Sequence, residues 1–221
     1  MQLRLLLADE HRMVRQGMRM LLEKEEFEVV AEAGNGQDAV TMAQQTRPDV
    51  AVLAVLMPAL SGIDAAHQIL KAKSRTGVVL VAGHVQEDLI VAALRTGIRG
   101  YVVKTQTAVE LVQAIREVAG GGTYLSPTVS SVVVDAYLTG GTGAGDLLNS
   151  RERQVVQLVA EGKTTKEIAT IMALSDNTIE SYRSRVMSKL NIHHTAGLVR
   201  YAIRRGIIIA SIASAAIDAL L

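Results

Sequence analysis

Val50-Ala51-Val52-Leu53-Ala54-Val55 is an unbroken apolar run that lies between Pro48 and Pro58. A short apolar run between turn signals predicts a buried strand. Other short runs rich in Val, Leu and Ile occur at Leu3–Ala8, Glu28–Ala33, Val78–Ala82 and Gly100–Val103. Between these runs, apolar residues recur at helical spacing. This alternation of strands and helices predicts right-handed βαβ units and a doubly wound, five-stranded parallel sheet of the α/β class.

A glycine-rich segment divides the chain. Four of the seven residues from Thr139 to Gly145 are glycine, and none of the seven has a large side chain. Such a composition predicts a flexible linker. We therefore expect an α/β domain at 1–138, a linker at 139–146, a helical domain at 147–206 and an apolar C-terminal tail at 207–221.

Composition excludes several classes of protein. The 221 residues include no cysteine, so disulfides, thiolate metal ligands and cysteine nucleophiles are excluded, and a reducing compartment is expected. The N-terminal apolar run meets Asp9 and Glu10 at once, which argues against a signal peptide, and no segment reaches the ~18 uncharged apolar residues of a membrane span. We expect a cytoplasmic protein without a membrane partner.

Charge is distributed unevenly along the chain. Residues 1–146 carry 13 Lys and Arg against 16 Asp and Glu, whereas residues 147–221 carry 10 against 6. A basic C-terminal third favours a polyanion as the partner of that third.

Segment 147–206 is helical in pattern. Asn149–Glu152 and Thr164–Glu167 each predict a capping box, Ser175 is a natural N-cap, and Thr195 is expected to cap a last helix. Four short helices with tight connections predict a compact bundle that contains a helix-turn-helix.

The stretch Asp176–Leu190 predicts a helix suited to the major groove of DNA. Its inward stripe, at spacings of three and four, consists of Ile179, Tyr182, Val186 and Leu190. The opposite face consists of Asn177, Glu180, Ser181, Ser184, Arg185 and Ser188. Small and polar residues allow close approach to base edges. A solvated surface helix has a similar composition, so both interpretations stay open on this pattern alone.

The motifs of this segment, taken in order, resemble the LuxR-type DNA-binding domain. They are Leu148–Glu152, Glu161–Lys163, Lys166–Ala169, Leu174–Ser175, Thr178–Tyr182 and Ser188–Leu190. Asn149 stands where this family often has Thr or Ser, and Tyr182 where it often has His. The resemblance implies double-stranded DNA as the partner, with Glu180, Ser181 and Ser184 facing bases. The side chains that it implies at the DNA backbone are Lys163, Thr178, Arg183, Arg185 and Lys189.

The N-terminal segment resembles the receiver domain of response regulators, which has a flavodoxin-like fold. The matching motifs are Leu5–His11, Arg47–Val50, Met57–Pro58 with Gly62, Gly100–Lys104 and Gly120–Pro127. Together the two segments resemble the NarL/FixJ type of response regulator. In that family a phosphoryl group is transferred to an aspartate at the end of the third strand. A divalent cation, a lysine and a Thr or Ser at the end of the fourth strand stabilise its charge.

Two of those parts are missing here. The aspartate position, three residues before Met57, is Ala54, and the hydroxyl position, two residues before His84, is Ala82. The resemblance therefore implies a degenerate pseudo-receiver that is not phosphorylated.

Three other parts remain, namely Asp9, Glu10 and Lys104, and Tyr101 occupies the position of the family's aromatic switch residue. With one carboxylate gone and a longer Glu10 in the pair, we expect no metal ion and no other cofactor. The expected role of Lys104 is a structural ion pair with Asp9 or Glu10.

Two functions stay open on the sequence. The first is a sequence-specific transcription regulator that works without phosphorylation, as a homodimer on a promoter inverted repeat. Candidate dimer surfaces are Gly97–Glu117, Leu198–Arg205 and the apolar tail. The alternative is an interaction module whose receiver binds an unknown partner protein or ligand and thereby masks or frees the DNA-binding domain. An enzyme is not expected, because no phosphate loop, triad or nucleophile is present at the strand ends.

Overall fold

The computed structural model describes residues 2–72, 75–138 and 148–208. The chain divides into two compact units, Met1–Thr142 and Gly143–Leu221, and this division falls inside the predicted linker. The linker itself and the predicted tail from residue 209 onward lie outside the described residues. Among those described, no helix is long and apolar enough to cross a membrane.

The first unit contains a parallel sheet in the order β2-β1-β3-β4-β5-β6. Its strands are β1 (Arg4–Ala8), β2 (Glu28–Ala33), β3 (Val50–Ala54), β4 (Gly77–Ala82), β5 (Gly100–Val103) and β6 (Tyr124–Leu125). The order of the first five strands is the doubly wound order with one switch point, between β1 and β3. The α/β prediction is confirmed.

The predicted number of five strands was wrong by one, because β6 adds a sixth strand beside β5. It has only two residues, too few for a hydrophobic pattern to be visible in the sequence. Its partners in β5 are Gly100 and Tyr101.

Helices cover both faces of the sheet. They are α1 (Arg12–Lys24), α2 (Gly36–Thr46), α3 (Gly62–Lys71), α4 (Glu87–Arg95), α5 (Ala108–Ala119) and α6 (Pro127–Leu138). One apolar cluster joins α2, α3, α4 and α6 to the face that includes Leu6 and Ala8. The other joins α1 and α5 to the face that includes Leu5 and Leu7. Alternate residues of β1 thus enter different cores, as the period of a strand requires.

In the second unit the described residues form α7 (Ser150–Ala160), α8 (Thr165–Met172), α9 (Asp176–Leu190) and α10 (Thr195–Arg204). Helix α7 packs against α9 and α10, and α8 packs against α9. Both predicted capping boxes are present, and Ser175 caps α9.

One predicted cap differs from the structure. The N-cap of α10 is His194, whose Nδ1 accepts a hydrogen bond from the Gly197 backbone N–H at 2.9 Å, while Thr195 is the first helical residue. An unprotonated imidazole nitrogen accepts a hydrogen bond as a hydroxyl oxygen does. A prediction that considers Ser or Thr as the cap therefore overlooks His194. Ser126 precedes α6, and its buried hydroxyl makes no hydrogen bond to any described residue.

Candidate functional sites at the strand ends and on helix α9

The carboxyl ends of four neighbouring strands bring the predicted receiver residues together. Asp9 follows β1, Ala54 ends β3, Ala82 ends β4 and Lys104 follows β5. The backbone N–H of Lys104 donates to the carbonyl of Ala82 at 2.7 Å. In an open α/β sheet this edge is where ligands bind.

Asp9 is fully buried, and both of its carboxylate oxygens are engaged. Oδ2 forms an ion pair with the ammonium of Lys104. Oδ1 accepts from the His11 backbone N–H at 2.9 Å and lies 3.3 Å from His11 Nδ1. Of the two acidic residues, Lys104 therefore pairs with Asp9, while the contact of Glu10 is with His11, at 3.7 Å.

Ala54 and Ala82 contribute no side-chain ligand to this edge. They are 4% and 2% exposed and pack into the same apolar cluster as Tyr101. In residues 2–72, 75–138 and 148–208 no group of three or more His, Asp and Glu side chains is arranged to hold a metal ion. A Mg²⁺ site uses one or two carboxylates, and of the two acidic side chains at this edge Asp9 is already bound by Lys104.

The phenol of Tyr101 is fully buried, and its hydroxyl has no hydrogen-bond partner among the described residues. Burial raises the pKa of this phenol above its usual value, so it stays neutral. A buried tyrosine hydroxyl usually finds a partner. Without such a partner, the Tyr101 hydroxyl is a polar group inside an apolar core. It lies on β5, which pairs with β4, the strand that ends at Ala82.

The DNA-binding residues predicted from the sequence lie on or near α9. Ile179 and Val186 of the predicted inward stripe are buried, whereas Tyr182 and Leu190 are half-buried. The exposed members of the predicted site are Lys163, Glu180, Ser181, Ser184, Arg185 and Lys189, and the half-buried members are Thr178 and Arg183. The guanidinium of Arg185 lies 5.5 Å from the centre of the Tyr182 ring, which orients it along the helix surface.

Lys189 has a partner inside its own unit. Its ammonium lies 2.8 Å from Oε2 of Glu152, a side chain that is fully buried at the start of α7. The same oxygen accepts from the Asn149 backbone N–H at 2.9 Å. The structure thus gives Lys189 a role in joining α9 to α7, besides its predicted place at the DNA backbone.

A second polar contact joins α8 to α9, and we call it the Thr165 bridge. The hydroxyl of Thr165 donates to Glu180 Oε1 at 2.6 Å and accepts from Arg183 Nη1 at 3.1 Å. Arg183 Nη1 also lies 3.7 Å from Glu180 Oε1. Sequence reasoning missed Thr165 and Glu152, because neither lies on α9. The sequence did show that Glu180 and Arg183 are three residues apart, a spacing at which two side chains on one helix can interact.

The Glu152 carboxyl makes the stability of the second unit depend on pH. Burial raises the pKa of this carboxyl, but the hydrogen bonds from Lys189 and the Asn149 backbone and the charges of Lys189 and Arg185 outweigh it, so the pKa is lowered below 4.5. The stabilisation is therefore complete above the pKa of the unfolded chain and is lost as the pH falls through the folded-state value. We expect calorimetry to show the melting temperature of this unit falling below about pH 4.5, and falling less in the Glu152→Gln variant. An equal fall in both proteins would contradict this.

An α/β unit with a receiver-like strand-end edge, followed by a helix-turn-helix unit, defines a two-domain regulator of transcription. The family model for the response regulator receiver domain matches residues 5–116. The model for bacterial regulatory proteins of the luxR family matches residues 146–202.

Relatives match over nearly the whole chain. The transcriptional regulatory protein MctR of Rhizobium johnstonii is 35% identical over 208 residues, which cover 94% of this chain and 96% of MctR. The oxygen regulatory protein NreC of Staphylococcus carnosus is 30% identical over 212 residues, which cover 92% and 98%. The chain therefore belongs to the luxR-family response regulators, which are DNA-binding transcription regulators.

Solved structures agree with this assignment. RcsB from Salmonella enterica serovar Typhimurium, bound to promoter P1flhDC in the presence of the phosphomimetic BeF3−, has a TM-score of 0.62 at 25% identity, and the match covers 91% of this chain and 98% of RcsB. A LuxR-family two-component response regulator from Aurantimonas sp. has a TM-score of 0.60 at 29% identity over 62% of this chain and 99% of that protein.

Proposed function

We propose that this chain is a sequence-specific transcription regulator that binds DNA as a homodimer and does not use phosphorylation. The observation that carries this proposal is the pair of buried alanines, Ala54 and Ala82, at the ends of β3 and β4. An alanine methyl offers no oxygen for a phosphoryl group, and it cannot donate a hydrogen bond to one. Position 54 therefore cannot form a bond to a phosphoryl group, and position 82 cannot donate a hydrogen bond to one.

The state of Lys104 supports the same proposal. Its ammonium is bound to the buried carboxylate of Asp9, whose second oxygen is held by the His11 backbone. Lys104 therefore satisfies a buried charge within the sheet and needs no phosphoryl group as a partner.

The exposed residues of α9 support contact with DNA. Ser181 and Ser184 are small and exposed on the face that also carries Glu180. We assign these three to base edges, and Lys163, Thr178, Arg183, Arg185 and Lys189 to the backbone region. RcsB bound to a promoter supports double-stranded DNA as the partner.

Exposed apolar side chains on the first unit support a homodimer. Met20 of α1 and Val109 of α5 are 75% and 71% exposed, and both line a groove of about 790 Å³ between these helices. Its α5 side lies within the predicted surface Gly97–Glu117. A second copy would cover these side chains, and twofold symmetry would match an inverted repeat.

We expect phosphate donors to leave this protein unchanged. After incubation with acetyl phosphate and Mg²⁺ the intact mass should not change, since no carboxylate stands at position 54. After the same treatment, or with the phosphoryl mimic beryllofluoride, the affinity for DNA should stay within about twofold of the untreated value. The measurements are mass spectrometry and fluorescence anisotropy. RcsB, which was solved in the presence of the phosphomimetic BeF3−, is treated in parallel as the control for donor activity. A mass increase of one phosphoryl group would contradict the proposal.

The first experiment on function is selection of sites from random duplex DNA, with the full-length protein and fragment 147–221 in parallel. No donor is added, and salt is held near physiological because phosphate contacts make affinity steeply salt-dependent. Enrichment of one inverted repeat by the full-length protein supports the proposal. Binding by the fragment alone would reject it and favour a receiver that masks the DNA-binding unit until a partner or ligand binds.

A further inference from the structure

We infer that Thr165 determines specificity, although it lies outside α9, by positioning the carboxylate of Glu180 toward a cytosine in the major groove. The inference rests on the proposed function, in which Glu180 faces a base edge. Its basis is the Thr165 bridge, in which Thr165 on α8 contacts Glu180 and Arg183 on α9.

The direction of each hydrogen bond in this bridge is fixed by chemistry. A guanidinium can only donate and an ionised carboxylate can only accept. The Thr165 hydroxyl must therefore receive its bond from Arg183 and give its single proton to Glu180. Because both neighbours leave it one orientation, the hydroxyl is a rigid link between a cation and an anion that lie one helical turn apart.

Helix capping does not account for Thr165. The N-cap of α8 is Thr164, whose hydroxyl accepts from the Glu167 backbone N–H at 3.3 Å, while Glu167 Oε2 accepts from the Thr164 backbone N–H at 2.8 Å. The box is complete without the next residue. The hydroxyl at position 165 is therefore free of a capping role, and its hydrogen bonds reach across to α9.

The bridge uses only one oxygen of the Glu180 carboxylate. Both contacts involve Oε1, and Oε2 has no partner within the described part of the chain. The side chain is 57% exposed. Oε2 is thus available to accept a hydrogen bond, and the N4 amino group of cytosine is the base donor that a carboxylate reads in the major groove.

The bridge also reduces the electrostatic cost of placing a carboxylate near DNA. Phosphates repel an isolated anion, and an adjacent guanidinium offsets that repulsion. Arg183 is only 24% exposed and points to this bridge. Besides the place at the DNA backbone assigned to it above, Arg183 would then also act on DNA binding through Glu180.

The test measures base discrimination by the full-length protein. Operators selected by the wild type are altered one cytosine at a time, and equilibrium dissociation constants are measured at fixed salt. Thr165→Val keeps the branched shape but removes the hydroxyl. We expect it to lower discrimination at one cytosine per half-site about 10-fold, and to change affinity for random DNA less than about threefold. Thr165→Ser, which keeps the hydroxyl, should behave as the wild type.

Glu180→Ala identifies which cytosine is read and completes a double-mutant cycle. In its background, Thr165→Val should change discrimination less than about twofold, because the carboxylate that it positions is gone. Unchanged discrimination in Thr165→Val would overturn the inference and leave the proposed function intact. So would uniform loss of affinity together with a lower melting temperature, since that describes a packing role. A wild type that selects no sequence would overturn the proposed function and this inference with it.

Discussion

Replacing Lys104 by methionine is expected to lower the free energy of unfolding of the first unit by about 3 kcal/mol. The change leaves the carboxylate of Asp9 fully buried with only the His11 backbone and ring as partners. A buried charge that loses its counter-ion keeps its desolvation cost without the compensating attraction. The measurement is calorimetry of the full-length protein, in which the transition of the first unit is followed separately from that of the second unit.

The matched control is Lys71→Met, in an exposed last turn of α3. It removes the same charge and should change stability by less than about 0.5 kcal/mol. Asp9→Asn combined with Lys104→Met should recover part of the loss, because no charge is then left buried. If Lys104→Met and Lys71→Met are equally mild, the structural role of the Asp9–Lys104 pair is wrong.

Replacing Ser184 by glutamate is expected to weaken DNA binding at near-physiological salt about 100-fold. Ser184 is exposed on α9, beside the serine and glutamate assigned to base edges. A new carboxylate there, outside the Thr165 bridge, would meet the phosphates of both strands. Because the site is exposed, the melting temperature should stay within about 2 °C of the wild type.

Ala196→Glu provides the control for net charge. Ala196 is exposed in the first turn of α10, where a carboxylate is favourable, so it adds the same charge to the same unit away from α9. Its affinity should fall less than about threefold, as a general effect of charge would. If the two variants lose DNA affinity equally, a negative charge on α9 affects binding no more than one on α10, and the assignment of α9 to the DNA contact is wrong.

The sequence was sufficient to predict the parts of the fold that depend on continuous patterns. The five longer strands begin and end within a residue or two of the predicted positions, because runs rich in Val, Leu and Ala leave little freedom in where a strand of the sheet lies. The two-residue β6 carries no such pattern. Its pairing depends on the turn after α5, which places Tyr124 and Leu125 beside β5.

Side-chain partners were predictable only where one element contained both, or where the choice was small. The two capping boxes follow from spacing within one turn. The partner of Lys104 was limited to Asp9 or Glu10, and burial selected Asp9. By contrast, Glu152 with Lys189 and Thr165 with Glu180 join different helices. Contacts of that kind depend on how helices pack, which the period of one helix does not encode.

The two buried alanines at the ends of β3 and β4 have a consequence for the design of a phosphorylatable variant under the proposed function. An aspartate placed at position 54 alone would put a charge at a site that is 4% exposed, while Lys104 stays bound to Asp9 and position 82 offers no hydroxyl. A hydroxyl placed at position 82 alone would add a buried polar group without a phosphoryl group to bind. We therefore expect sign epistasis between the two substitutions: each alone lowers stability, and only the pair supplies both a phosphoryl acceptor and a hydroxyl that binds the phosphoryl group.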